Sequence, residues 1–88
     1  MIYELRLAGP ARRYLDRLDL KTQDRFERKF QQIAADPFDL QHSKPLSGAG
    51  SRRSARVGGW RIIFTVYRES QVVLVDEIGP RGQIYRRL

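Results

Sequence analysis

Arginine is concentrated in the second part of this chain. The segment from Ser51 to Leu88 contains eight arginines, three acidic residues and no lysine or histidine. The arginine guanidinium is planar, so it binds phosphate through two parallel hydrogen bonds. The same segment has the pattern of β-strands, which hold side chains at fixed places and let arginines converge on one group. These residues therefore predict a binding site for a polyanion, above all a nucleic acid. Arginines in such a site can also take part in a reaction at a phosphate group.

The net charge is uneven along the chain. Residues 1–40 carry eight Lys and Arg against seven Asp and Glu, a net of +1, whereas residues 41–88 carry nine against three, a net of +6. The first part is therefore typical of an ordinary helix surface with mixed charges. The second part holds the unbalanced field that attracts an anionic partner.

Length and composition restrict the class of protein. Eighty-eight residues predict one domain, spanning residues 1–88. There is no cysteine and therefore no disulfide framework. No apolar run approaches the roughly 18 residues of a membrane helix, and we expect a soluble cytoplasmic protein with no membrane contact. The sequence has no Gly-rich phosphate loop, paired carboxylates or metal-ligand spacing, so it predicts neither a cofactor nor a metal site.

The hydrophobic periodicity predicts a β-α-α-β-β-β order. The elements are a strand at residues 2–7, helices at 11–18 and about 20–35, a loop at 38–50, and strands at 52–57, 60–67 and 71–78. The fold class is therefore α+β: a small antiparallel sheet with the N-terminal helical pair packed on one face and the other face open. The continuous apolar run Val72 to Val75 is typical of a central strand.

Alternation in the strand from Trp60 to Tyr67 indicates where its arginine lies. Trp60 and every second residue after it are apolar and must face the helices, which places Arg61 on the opposite face. Gly58-Gly59 predicts a tight hairpin with the preceding strand. The sequence does not fix the register across this turn. Either the set of Arg52 and Arg56, or the set containing Arg53, shares the face of Arg61.

The C-terminal motifs resemble those of a known family. The sequence RSARVGGWRIIFTV, followed by an apolar strand and IGPRGQIYRRL, is similar to the RelE/ParE superfamily of bacterial toxins. The familiar pattern there is a hairpin R-x-x-R-V-G-x-(Y/W)-R, followed by I-x-H-R-x-x-(I/V)-Y. The similarity extends over essentially the whole chain, including the K-P-L-x-G loop.

The resemblance implies a ribosome-associated endoribonuclease of RelE type, which cleaves mRNA without metal. In that reaction the ribose 2′-hydroxyl attacks the adjacent phosphate and leaves a 2′,3′-cyclic phosphate. The matching positions make Arg61, Arg81 and Tyr85 the candidate catalytic residues. Tyr85 would act as a base or stack on an RNA base. The candidate RNA-binding residues are Lys44, Arg52, Arg53, Arg56 and Arg86.

Two departures from the family pattern keep other functions open. Pro80 stands where many members have the histidine of the H-R pair, and Ser54 stands where ribosome-dependent members often have lysine. A ParE-type toxin, which acts by binding DNA gyrase and has no nuclease site, is therefore the first alternative. A non-toxic nucleic-acid-binding domain is the second. Either toxin implies a cognate antitoxin that masks the basic face. The only histidine in the sequence, His42, follows no metal-ligand or catalytic-triad spacing.

Overall fold

Two helices and five strands make up the part of the chain, residues 2–46 and 51–82, that a computed structural model describes. The elements are β1 (Glu4–Leu7), α1 (Gly9–Asp16), α2 (Leu20–Ala35), β2 (Lys44–Pro45), β3 (Arg52–Val57), β4 (Trp60–Tyr67) and β5 (Val72–Pro80). The predicted α+β class is confirmed. Strand β2 was not predicted, because two residues within a loop are too short to show a period. Tyr85 and Arg86 lie outside the described residues.

Local signals in the sequence determine where the helices begin and end. Pro10 occupies the first turn of α1, where its missing N–H removes no helical hydrogen bond. Asp19 caps α2 by accepting a hydrogen bond from the backbone N–H of Thr22 at 3.0 Å. That bond holds the pKa of Asp19 below its usual 3.8. Helix α2 ends at Ala35 because Pro37 disfavours helical backbone at the residue before it.

The sheet is mixed, which corrects the expectation that it is wholly antiparallel. The strand order is β1-β5-β4-β3-β2, and β1 runs parallel to β5, with Glu4 opposite Val72 and Leu7 opposite Val75. The chain crosses from one edge of the sheet to the other through both helices and then returns by successive antiparallel pairings. Those reversals leave β5 pointing in the same direction as β1. As the run Val72 to Val75 predicted, β5 is not an edge strand, although the middle strand of the five is β4.

The hydrophobic core lies between the helices and one face of the sheet. Helix α2 contributes Phe26, Phe30 and Ile33, all of which are buried. The predicted alternation of β4 is confirmed, because Ile62, Phe64 and Val66 belong to this core. The remaining buried members are Ala11, Leu15, Ala55, Val57, Val73, Val75 and Ile78. This packing fixes the orientation of β4 and therefore the side from which Arg61 projects.

The second face of the sheet is less open than we expected. Ser54, Arg61 and Ile63 point away from the helices, yet their exposed fractions are only 1%, 6% and 0%. A β-bulge between Ile63 and Phe64 shifts the register against β5, so that Ile63 lies opposite Glu77 and Phe64 opposite Val75. The centre of this face therefore forms a partly desolvated environment, in which charges interact more strongly than at an exposed surface.

Candidate functional site

The β3–β4 hairpin brings two arginines together. Arg56 lies directly opposite Arg61 in the antiparallel register, so their side chains emerge on the same face of the sheet. Gly58 allows the tight turn because its φ of 56° lies in the left-handed region, which favours glycine. The register left open by the sequence is thus determined: Arg52, Ser54 and Arg56 share the face of Arg61. Arg53 belongs to the opposite face.

Arg61 occupies the centre of a row across three strands. Arg56 of β3 lies on one side of it and Gly79 of β5 on the other. Gly79 has no side chain, so both charged side chains of the row, Arg56 and Arg61, lie on β3 and β4. In the neighbouring row, Lys44 of β2 lies opposite Ser54. The two rows place one lysine and two arginines on adjacent positions of one face.

A pocket of about 190 Å³ opens at the β3 edge of this face. It exists because β2 pairs only with Arg53 and Ser54, so β3 lacks a neighbouring strand beside Arg56. This volume is below the roughly 300–1,000 Å³ typical of pockets for drug-sized ligands, so it suits one small group such as a phosphodiester. Its basic lining residues are Lys29, Lys44, Arg56 and Arg61.

Ser54 provides a hydroxyl in the lining of the same pocket. Its side chain is buried, and Oγ has no hydrogen-bond partner among the described residues. A buried hydroxyl without a partner typically costs about 1–3 kcal/mol, and native structures leave few such groups. An oxyanion bound in the pocket would accept this hydrogen bond. The combination of a free hydroxyl and surrounding cations is therefore chemically suited to a phosphoryl group.

The contacts of Arg53 indicate that it stabilises the fold and does not face the pocket. Its Nε donates a hydrogen bond to Ser43 Oγ at 3.0 Å, and its guanidinium lies 5.4 Å from the ring centroid of Phe38. Desolvation by burial lowers the pKa of Arg53, an effect opposed by the nearby charge of Asp36. These contacts anchor the loop after α2 to the helix-facing side of β3. They separate Arg53 from the other predicted RNA-binding arginines, a distinction that residue type alone does not reveal.

The anchored loop brings His42 into the pocket lining, where sequence reasoning did not expect it. The imidazole Nε2 lies 3.9 Å from Asp39 Oδ2, and the His42 side chain is 26% exposed. Lys44 was a candidate from the sequence, and His42 lies only two residues before it, but no motif connects the two. The proximity of His42 to Arg61 depends on the loop fold and is not visible in a linear motif.

The other predicted site residues are more dispersed. Arg81 is exposed just after β5, and its backbone N–H donates to Gly59 O at 3.0 Å, which places it at the turn end of the hairpin. Arg52 lies opposite Thr65, four residues before Arg56 and so roughly 13 Å away along the strand. The predicted Tyr85 and Arg86 sites lie beyond the described residues. The structure therefore brings Lys44, Arg56 and Arg61 to one pocket. Arg81 lies apart from them, beside the β3–β4 turn.

Two further properties of the described residues bear on the site. In residues 2–46 and 51–82, no group of three or more His, Asp or Glu side chains is arranged to hold a metal ion. Neither helix in that part of the chain is long and apolar enough to cross a membrane.

Several solved toxin structures have the same fold. The archaeal RelE–RelB complex of Pyrococcus horikoshii OT3 has a TM-score of 0.81 at 23% identity, covering 94% of this chain and 99% of that chain. RelBE2 of Mycobacterium tuberculosis gives 0.79 at 24% identity, with 93% and 94% covered. The isolated Escherichia coli RelE toxin gives 0.79 at 20% identity, with 97% and 93% covered. These likenesses confirm the fold that the resemblance implied.

The family is established by the sequence itself. No curated protein sequence is significantly similar to this chain over its length. Residues 5–85, however, match the family described as the ParE toxin of type II toxin-antitoxin system, parDE. That match includes both helices, all five strands and the Arg61 pocket. The chain therefore belongs to the ParE toxin family and is a toxin of a type II toxin–antitoxin system.

Proposed function

We propose that this toxin is an endoribonuclease that cleaves mRNA on the ribosome and so arrests translation. The observation that carries the proposal is the convergence of Lys44, Arg56 and Arg61 on one pocket. The pocket also contains the Ser54 hydroxyl, which has no hydrogen-bond partner among the described residues. This set matches the needs of a bound phosphodiester: several positive charges, a neutral donor and partial exclusion of water. A surface that only solubilises the protein needs neither the burial nor the convergence.

The reaction follows from the chemistry of RNA. Attack of the 2′-hydroxyl on the adjacent phosphorus concentrates negative charge on the phosphoryl oxygens, and fixed guanidiniums in a partly desolvated site stabilise that charge. Arg61 is buried and held by two neighbouring strands, so we assign it this role. The products are a 2′,3′-cyclic phosphate and a 5′-hydroxyl. The resemblance to RelE-type toxins supports a reaction that uses no metal.

The remaining predicted residues have supporting roles in this proposal. Lys44 and Arg56 bind the scissile phosphate, and Arg81 binds the strand near the hairpin turn or stabilises the leaving oxygen. Arg52 and Arg86 contact flanking phosphates, and Tyr85 stacks on a base or assists proton transfer. Arg53 is left out because its hydrogen bond to Ser43 gives it a different task.

A protein partner is part of the proposal. Several of the similar structures are toxin–antitoxin complexes, among them those of P. horikoshii and M. tuberculosis, and the family is one of toxin–antitoxin systems. We propose a cognate antitoxin with an acidic segment that covers the pocket, because the second half of the chain has a net charge of +6. The proposed targets, mRNA and the ribosome, place the toxin in the cytoplasm.

A second candidate function is inhibition of DNA gyrase by binding. The observation that favours it is the family match itself, which is to ParE. Ser54 and Pro80 point the same way, because they replace the lysine and histidine of many RelE-type members. In this alternative the arginines bind gyrase or its DNA and carry out no reaction.

Purified translation with primer extension on the mRNA tests the proposal. Wild-type protein should arrest translation and produce discrete cuts within translated codons, and Arg61→Ala should reduce cleavage about 100- to 1,000-fold. Arg28→Ala is the matched control, since it removes the same charge from an exposed position on α2. Equal cleavage by Arg61→Ala, or arrest with intact mRNA, would contradict the proposal. Loss of supercoiling activity in a gyrase assay would then identify the second candidate.

A further inference from the structure

The Arg61 pocket contains one side chain that ordinarily exchanges a proton near neutral pH. His42 is the only histidine in the chain, and it lines the pocket together with Ser54, Arg56 and Arg61. Arginine cannot act as a base, since its guanidinium stays protonated. Resting on the proposed ribonuclease function, we infer that His42 is the general base that accepts the proton of the attacking 2′-hydroxyl.

The loop that carries His42 is held in place before any substrate binds. Asp39 Oδ1 accepts a hydrogen bond from the N–H of Gln41 at 2.9 Å, and Asp39 O accepts one from the N–H of His42 at 3.0 Å. Ser43 Oγ donates to Pro37 O at 2.8 Å while accepting from Arg53. A base that is already positioned loses little entropy when the substrate arrives. The buried Arg53 therefore contributes to the site by fixing the position of His42.

Asp39 is the acidic neighbour of His42, near enough for an electrostatic contact but not for a hydrogen bond. Its Oδ2 lies 3.9 Å from Nε2, close enough to stabilise the imidazolium that forms when the proton is accepted. The other charged groups that face the pocket are Lys29 of α2, Lys44 of β2, Arg56 of β3 and Arg61 of β4. A bound phosphodiester carries one negative charge and offsets part of the charge of these four cations, and Asp39 stabilises the imidazolium against the remainder.

The proposed cleavage conserves protons and bonds. Neutral His42 takes the proton from the 2′-hydroxyl, the O2′–P bond forms, and the P–O5′ bond breaks. The departing 5′ oxygen takes a proton from water, and the imidazolium returns its proton to solvent. Ser54 Oγ donates to a phosphoryl oxygen throughout, which satisfies a hydroxyl that has no partner among the described residues. His42 thus supplies an imidazole from a different element than the H-R position occupied by Pro80.

Single-turnover cleavage of ribosome-bound mRNA between about pH 5.5 and 8 tests the inference. Wild-type rates should rise with pH through this range, because the base must be neutral. His42→Gln should lower the rate about 100- to 10,000-fold and remove that rise. His42→Ala should recover part of the rate when imidazole is added, which a purely structural role does not predict. Thermal unfolding of both variants verifies that they fold, and Arg28→Ala, at an exposed position of α2 that does not line the pocket, is the control.

The outcomes separate this inference from the proposed function. If wild type does not cleave RNA at any pH, the proposed function fails. Only the role of His42 is overturned if wild type cleaves RNA, Arg61→Ala does not, and His42→Gln keeps both the rate and the pH profile of wild type. A substrate with a bridging 5′ sulfur, whose leaving group needs no proton, distinguishes base from acid. Full activity of His42→Gln on that substrate would show that His42 acts on the leaving group and overturn the assignment as base.

Discussion

Arg56 and Arg61 lie directly opposite each other on adjacent strands, on the same face of the sheet. Like charges at such positions destabilise a sheet, by an amount comparable to the 0.2–1 kcal/mol that a favourable cross-strand pair contributes, that is, about 1 kcal/mol at most. A sequence selected for stability alone would place an apolar or opposite-charge pair here. An anion bound between the two guanidiniums would offset this repulsion, as expected of a site whose function opposes its stability.

The variant Arg56→Thr should separate these two effects. Threonine favours strands and removes the like-charge pair, so we expect the free energy of unfolding to rise by up to about 1 kcal/mol. Affinity for a non-cleavable single-stranded RNA should fall, and the slope of log K against log salt should become shallower by about 0.7 for the one lost phosphate contact. Arg28→Ala should change neither quantity. An unchanged salt slope for Arg56→Thr would argue against a phosphate contact at this position.

Ser54→Ala should increase stability and decrease activity. The substitution removes a buried hydroxyl that has no partner among the described residues, so we expect the free energy of unfolding to rise by about 1 kcal/mol. RNA cleavage should fall, because the phosphoryl group loses a donor. Urea denaturation followed by Trp60 fluorescence measures the first effect and primer extension the second. A less stable Ser54→Ala would mean that the hydroxyl is already satisfied in the folded protein.

Arg53→Met should weaken the loop that carries His42. The change removes the hydrogen bonds to Ser43 and leaves buried oxygens without their donor, so we expect a loss of about 1–3 kcal/mol in the free energy of unfolding. Arg52→Met, at the neighbouring position on the opposite face, is the control and should change stability far less. Equal destabilisation by the two substitutions would show that the contacts with Ser43 contribute little.

The two glycines of the β3–β4 turn should respond differently to substitution. Gly58 has a φ of 56°, and an added Cβ would lie 2.6 Å from the guanidinium of Arg25. We therefore expect Gly58→Ala to destabilise the fold by about 1–3 kcal/mol and to disturb the Arg56–Arg61 register. Gly59 has no atom within 4 Å of its Cβ position, so Gly59→Ala should be close to neutral. Denaturation midpoints of the pair provide the comparison.

The cap at Asp19 should make stability depend on pH at the acidic end. The hydrogen bond from Thr22 lowers the pKa of Asp19 in the folded protein. Because this pKa is lowered, the cap contributes its full stability at a pH above the pKa of Asp19 in the unfolded chain, which is about 3.9. The contribution is lost as the pH falls through the lower pKa of the folded protein. Asp19→Ala should therefore have a lower melting temperature than wild type at pH 7. The difference should shrink below about pH 3.5, whereas Asp19→Asn should retain a cap that does not vary with pH.

The sequence predicted most elements because their patterns are local. The alternation from Trp60 to Val66 was enough to place Arg61 away from the helices, and the apolar run from Val72 was enough to place β5 inside the sheet, between β1 and β4. The parallel pairing of β1 with β5 was not predictable in the same way. It depends on the number of reversals between the two strands and on the two-residue strand β2, which no periodicity reveals.

The site was predicted less completely than the fold, for a physical reason. A Gly-Gly turn fits more than one register, so the pairing of Arg56 with Arg61 required the structure. Arg52 and Arg53 are chemically identical and adjacent, yet only Arg53 meets Ser43. The position of His42 depends on how the loop after α2 folds back on β3. Such relationships are properties of tertiary contacts, and residue type carries no record of them.

The parallel pair β1–β5 has a consequence for how the toxin is made. Among the described residues β1 pairs only with β5, which lies far from it in sequence and also supplies Val73, Val75 and Ile78 to the core. Contacts between segments so distant in sequence close late during folding. A partly synthesised chain thus has neither a complete core nor a fixed row of arginines beside Gly79. We therefore expect a chain that ends before β5 to be inactive as a toxin.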